Sequence, residues 1–171
     1  NPSNFSFLQA DWPELHAEAR RAEQAARSDP RTACFYARRT LELTLAWLYR
    51  AEGGRGGALR LPYRADLAAF LAEPSLRQLV GAALHVKMDL IRRLGNHAVH
   101  HARPVPAGAA TQALRELFHV AFWLARQYAR QVAARPEPGA QFRADWLPQP
   151  APAQTLAAQQ AAGRAAQAAA Q

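Results

Sequence analysis

The stretch Pro30-Arg31-Thr32-Ala33-Cys34-Phe35-Tyr36-Ala37-Arg38-Arg39-Thr40-Leu41-Glu42-Leu43-Thr44-Leu45-Ala46-Trp47-Leu48-Tyr49-Arg50-Ala51 decides the fold. Cys34, Ala37, Leu41, Leu45 and Leu48 recur at three- and four-residue steps, the period of one helical face. Trp47 and Tyr49 widen that face, which marks a central helix. Ser28-Asp29-Pro30 stops one helix and opens this one. Gly53-Gly54-Arg55-Gly56-Gly57 ends it. A phosphate-cradling loop needs a strand before such glycines and Lys-Ser/Thr after them; both are missing, so the run reads as a connector.

The same period extends outward in both directions. Trp12, Leu15, Ala19, Ala22 and Ala26 predict a first helix opening near Asp11, with Asp11 as N-cap and Pro13 in the first turn. Short helices are predicted over Tyr63–Ala72 and Pro74–Leu79, and a longer one over Ala82–His101. Arg103-Pro104-Val105-Pro106 closes that helix. A last helix from about Ala107 to Ala133 carries Ala110, Leu114, Leu117, Ala121, Leu124 and Tyr128 on one stripe. No segment alternates as a strand does. The expected fold is all-α, a bundle of four to five main helices over residues 1–133. A Pro-rich linker is expected over 134–152, with Phe142, Trp146 and Leu147 placed to pack back on the bundle. Residues 153–171 read as an Ala/Gln-rich helical spacer leading to further domains.

Half of the 171 residues are apolar, but alanine supplies much of that share, so the core falls to leucine and the seven Phe, four Tyr and four Trp. Formal net charge is +8. Residues 51–103 hold eight basic and four acidic side chains, a surplus of four; residues 1–50 hold seven and six, a surplus of one. A polyanion would therefore dock on the middle of the chain, unless the arginines only solvate the surface. Cys34 is alone, and no Cys/His cluster has zinc spacing, which fits a reducing, cytoplasmic setting. No run reaches the roughly 18 apolar residues of a membrane span. Asn1-Pro2-Ser3-Asn4 is no signal peptide, and Met88 is the sole methionine, so the chain reads as a piece of a longer protein.

The predicted helix 82–101 carries the chemistry. At about 100° per residue, Leu84, Met88, Ile91, Gly95 and Ala98 share one side. Arg93, Asn96, His97 and His100 fall within about a third of a turn on the other, flanked by Arg92 and His101. A histidine exchanges protons near neutral pH, and an arginine holds a phosphate bidentately. Together they suffice for metal-independent cleavage of RNA, whose 2′-hydroxyl is the nucleophile; on DNA the same pair can only bind. The alternatives are structural: histidines suit a helix C-terminus, and His97 with His101 is an i, i+4 pair lacking the carboxylate or Cys of a zinc site. Elsewhere Arg38 and Glu42 read as a solvated pair, His85 and His119 as structural histidines, and Trp12, Trp47 and Trp123 as core rather than base-stacking platforms.

Cys34-Phe35-Tyr36-Ala37-Arg38-Arg39-Thr40-Leu41-Glu42-Leu43, Leu59-Arg60-Leu61-Pro62-Tyr63-Arg64-Ala65-Asp66-Leu67, Ile91-Arg92-Arg93-Leu94-Gly95-Asn96-His97-Ala98-Val99-His100 and Ala113-Leu114-Arg115-Glu116-Leu117-Phe118-His119 together resemble a helical domain of unknown function, DUF4145. The resemblance covers most of residues 5–130. That domain is similar to the HEPN superfamily of helical bundles and often stands at the N-terminus of type I restriction R subunits and related DEAD/DEAH-box helicases. The resemblance implies a non-catalytic accessory module of such a protein, docking nucleic acid (DNA ahead of RNA) or a partner subunit of a restriction complex. Arg92, Arg93, Asn96, His97, His100 and His101 would form its binding face, with no cofactor in this chain. HEPN ribonucleases imply the alternative: a dimeric endoribonuclease with His100 as acid/base, Arg93 holding phosphate and Asn96 orienting them, or Arg92 and His97 in another register. The last alternative is a pure assembly or dimerisation domain.

Overall fold

The computed structural model describes residues 2–150 and Ala168; the expected Ala/Gln spacer lies, but for that residue, outside the described part. Residues 2–150 form six α-helices: α1 (Pro13–Ala25), α2 (Pro30–Glu52), α3 (Leu67–Ala72), α4 (Pro74–Val80), α5 (Ala82–His100) and α6 (Ala107–Tyr128). The protein is an all-α bundle, with no strand among the described residues. α2 is the central element, packed against α1, α5 and α6, while α5 and α6 also pack on each other. The stripe that predicts α2 is its buried face: Cys34, Ala37, Leu41, Leu45 and Leu48 are all fully buried. Each such leucine contributes roughly 1.5–3 kcal/mol of transfer free energy. Burial pushes the Cys34 thiol up to about 11, so this cysteine is a core residue rather than a nucleophile.

The caps explain the helix starts and correct three boundaries. Asp29 opens α2 as expected: its carboxylate accepts from the Thr32 hydroxyl at 2.5 Å and the Thr32 amide at 3.2 Å, which holds it below the usual carboxylate range. Asp66 does the same for α3, accepting from the Ala69 amide at 2.9 Å. The helix expected from Tyr63 therefore begins at Leu67, with Tyr63 wholly exposed ahead of it. Asp11 does not cap α1. Trp12 holds that position without a side-chain bond, and the Asp11 carboxylate accepts from the Arg130 amide at 3.0 Å. The same bond accounts for α6 ending at Tyr128 instead of Ala133, because that amide is drawn across to α1 and Ala129 turns to ψ 126°.

The N-terminal segment is part of the core, which the helical period does not reveal. Phe5 and Leu8 are fully buried, and Phe5 and Phe7 meet the Phe118 ring edge-on at 6.3 and 5.9 Å. Glu23, buried in α1, anchors them: it accepts from the Ser3 hydroxyl at 2.6 Å, the Asn4 amide at 2.8 Å and the Asn4 side chain at 3.0 Å. Asn4 also exchanges two bonds with the Arg143 backbone. Phe142 lies against Phe118 at 6.2 Å and Leu147 is buried, so the segment after α6 lies back along the bundle through Leu147.

One close approach sets how α5 lies on α2. A Cβ built on Gly95 would stand 2.5 Å from the Arg38 Cβ and 2.7 Å from its Cδ. The Arg38 stem thus crosses α5 where α5 has no side chain; its Nε is buried with no hydrogen-bond partner among the described residues, and its link to Glu42 is loose at 3.8 Å. Gly95→Ala sets a helix-propensity gain of about 1 kcal/mol against overpacking of about 1–3 kcal/mol. Because the nearest atom is the Cβ of Arg38, rigid with its backbone, overpacking wins. Urea denaturation should show Gly95→Ala less stable by about 1 kcal/mol and Gly95→Val by more; a stabilised Gly95→Ala would show that this contact is slack.

Candidate functional site

α5 turns Met88, Ile91, Gly95 and Ala98 into the bundle, where all four are buried, and Leu84 is half-buried beside them. The opposite face is open. Arg93, His97 and His100 are exposed and Asn96 is half-buried. The polar residues grouped by helical period therefore do project away from the packed interior. The helix ends at His100, so His101 leaves it in extended conformation, its amide still donating to the His97 carbonyl at 3.2 Å.

Asp89 is the residue that the motif reading missed. It lies three and four positions before Arg92 and Arg93, which places all three on one patch of surface. Arg92 donates twice to Oδ1, from Nε at 3.0 Å and a terminal nitrogen at 2.8 Å, and Arg93 reaches Oδ2 at 2.6 Å. Burial pushes the Asp89 carboxyl up, but the two guanidinium groups outweigh it and hold it below the usual range. Two positive charges against one negative leave the triad with one. Arg93 remains 70% exposed and Arg92 only 29%, so Arg93 is the guanidinium available to an outside ligand.

The geometry also separates residues that the sequence groups. Arg93 extends toward Asp89, one turn toward the helix N-terminus, as helical side chains do. His100 stands seven residues the other way, an axial rise of about 10 Å. The Arg93 guanidinium is thus turned away from His100 and onto Asp89. His97 and His101 do come together, their rings stacked at 4.2 Å and 21°. Stacked rings hold their nitrogens in near-parallel planes, which does not aim both at one ion. Among the described residues no group of three or more His, Cys, Asp or Glu side chains meets in a metal-holding arrangement.

Two further arginines join the C-terminal end of α5, and neither is visible from its helical period. Arg31, at the start of α2, donates to the Ala98 carbonyl and, at 2.7 Å, to the Arg103 carbonyl. It caps α5 across 67 residues of chain, placing a cation where the helix dipole favours one. Arg103 is exposed in the following turn. On the inner flank, Lys87 donates to Glu116 of α6 at 2.7 Å, and His119 stands 3.4 Å from the same carboxylate. Burial raises Glu116, but Lys87 and then His119 outweigh it and hold the carboxyl low. His85 meets the Leu71 carbonyl at 2.8 Å, so both lone histidines have structural partners. Trp12 is buried and meets Trp47 edge-on; Trp47 and Trp123 are half-buried and each meets Tyr128 edge-on.

These features define a helical bundle in which the solvent-facing side of α5 carries arginine and histidine. Residues 20–137 match the family described as a domain of unknown function, DUF4145, and the chain belongs to that family. The match spans all of α2 to α6, and with them the Asp89–Arg92–Arg93 triad and the histidines. No curated protein and no solved structure matches the chain. No helix among the described residues is long and apolar enough to cross a membrane.

The triad has a pH signature. Asp89 ionises at lower pH in the folded chain than in the unfolded one. Its stabilisation is therefore complete above the ordinary aspartate value of about 4 and is lost as pH falls through the lowered folded value. At neutral pH Asp89→Asn should cost about 0.5–1 kcal/mol, and the variant's stability should depend less on pH below about 4. Urea midpoints measured across acid pH check this; parallel curves for the two proteins would remove the triad as a stabilising contact.

Proposed function

We propose that this bundle is a non-catalytic docking module for nucleic acid, serving as the N-terminal accessory domain of a type I restriction endonuclease R-subunit-like protein in the cytoplasm. The observation that carries the docking reading is the outward face of α5, where Arg93 stands 70% exposed and Arg31 and Arg103 extend the cationic surface past the helix end. A phosphate approaching this face meets a guanidinium whose only partner among the described residues is a shared carboxylate, so the ligand exchanges one ion pair for another. The separation of Arg93 from His100 supports binding over chemistry. The restriction setting and the preference for DNA rest on the family resemblance and on the wish of such an enzyme to place its motor on duplex.

Counterion release makes the reading measurable. With about three phosphate contacts, affinity for a duplex should fall about 40-fold between 50 and 200 mM salt. Changing Arg92 and Arg93 together to alanine should reduce the log–log salt slope by about 2. Asp89→Asn, which removes the internal competitor, should raise affinity several-fold. Fluorescence anisotropy with a labelled duplex reads all three, and affinity indifferent to salt and to the arginines would overturn the proposal.

A second reading has an observation in its favour: Asn96 and His100 face outward with no side-chain hydrogen bond to another described residue, so a second copy could complete a ribonuclease site. The docking proposal expects RNA to survive prolonged incubation with the protein in EDTA. Cleavage that persists in EDTA and stops in His100→Ala would replace docking with catalysis.

A further inference from the structure

We infer that the α2–α3 connection is a second and separate binding site, one that takes single-stranded nucleic acid, with Tyr63 as the platform for a base. Tyr63 is completely exposed, and Leu61, two residues before it, is 65% exposed. Large apolar side chains so displayed cost free energy unless something covers them. The display is built. Leu59 is buried and its amide donates to the Glu52 carbonyl at 2.9 Å, closing the glycine loop, in which Gly54 and Gly56 take φ +96° and +82°. The Arg60 amide donates to the Ser75 hydroxyl at 3.0 Å, and Asp66 caps α3. Residues 61–65 are thus held at both ends with Tyr63 between the anchors.

Charge selects the occupant. Arg50, Arg55, Arg60 and Arg64 are all exposed along this stretch, against Glu52 and Asp66, a surplus of two. Both carboxylates have internal duties: Glu52 accepts from the Tyr128 hydroxyl at 2.8 Å, and Asp66 holds the α3 cap and pairs with Arg64 at 2.9 Å. The Arg50, Arg55 and Arg60 side chains form no ion pair with another described residue. An open cavity of about 350 Å³ is lined by Ala46, Tyr49, Arg50, Leu61, Ala65 and Phe70, of which Leu61 and Ala65 stand two residues either side of Tyr63 in sequence. Exposed aromatic, apolar recess and free guanidinium groups are the parts with which sequence-tolerant single-strand sites stack bases and track phosphates. A duplex hides its base faces, so it gains nothing from Tyr63.

This site goes beyond the α5 docking face, and the two fail separately. Anisotropy with a labelled oligothymidylate should show Tyr63→Ala weaker than the wild type by about 5- to 150-fold, with Tyr63→Phe near the wild type and duplex affinity unchanged in both. Arg55→Ala with Arg60→Ala should weaken oligonucleotide binding and flatten its salt dependence. Tyr63, Arg55 and Arg60 are exposed, so thermal melts of all variants should coincide and exclude misfolding. The inference is overturned if the wild type does not bind the oligonucleotide, if Tyr63→Ala binds it equally well, or if Tyr63→Phe falls as far as Tyr63→Ala. It is also overturned, in favour of a protein contact, if Tyr63→Ala abolishes self-association while oligonucleotide binding stays intact.

Discussion

The stem of Arg38 lies across α5 at Gly95, and much else follows from that contact. Two helices can approach this closely only where one of them lacks a side chain, and the Arg38 methylenes fill the space so left. With Gly95 turned to α2, and Lys87 turned to Glu116 of α6, the rotation of α5 about its axis has no freedom left. Met88, Ile91 and Ala98 must then enter the core, and Arg93, His97 and His100 must face out. A cationic surface here is thus the complement of a packing solution: the side of α5 that the bundle does not use.

Electrostatics decides what that surface offers. Asp89 binds both arginines of the motif and aligns them, while halving the charge they would otherwise present. It also draws Arg93 toward the start of the helix and away from His100. A site for sustained binding tolerates this arrangement, since a phosphate can displace one carboxylate contact. A proton-transferring role for His100 would need Arg93 to leave Asp89 and turn toward the helix C-terminus. Belonging to the DUF4145 family states the ancestry of the fold; its function is argued from these side chains.

Much of the helical layout was legible because burial writes a period into the sequence. Cys34, Ala37, Leu41, Leu45 and Leu48 all lie in the core, and α5 turns its polar residues outward as the angles require. Two of the boundary errors share a cause. Asp11 looks like a helix cap because aspartate before Pro13 has the right chemistry, yet its carboxylate is taken by Arg130, more than a hundred residues on. The last helix looks longer than it is because its residues suit a helix, and the same distant bond stops it. Phe5 and Leu8 gave no periodic signal because the single 3-10 turn Ser6–Leu8 is too short to show one; Glu23 anchors the chain at Asn4 and the Phe118 ring meets Phe5.

By itself, then, the sequence determined roughly which segments are helical, which face of the four longer helices is apolar, and that one helix gathers arginine and histidine on its polar side. Those are properties of neighbours within about two turns, and the repeat of the α-helix carries them. Only the tertiary structure decided that Arg31 caps α5, that Arg38 replaces a side chain at Gly95, that the chain after α6 returns to Asn4, and that Arg93 and His100 stay apart. Three of these join residues distant in sequence through one or two hydrogen bonds or a close contact, for which many partners were available. The fourth depends on which way one long side chain turns, and a helical wheel places its Cα without saying where its charge will lie.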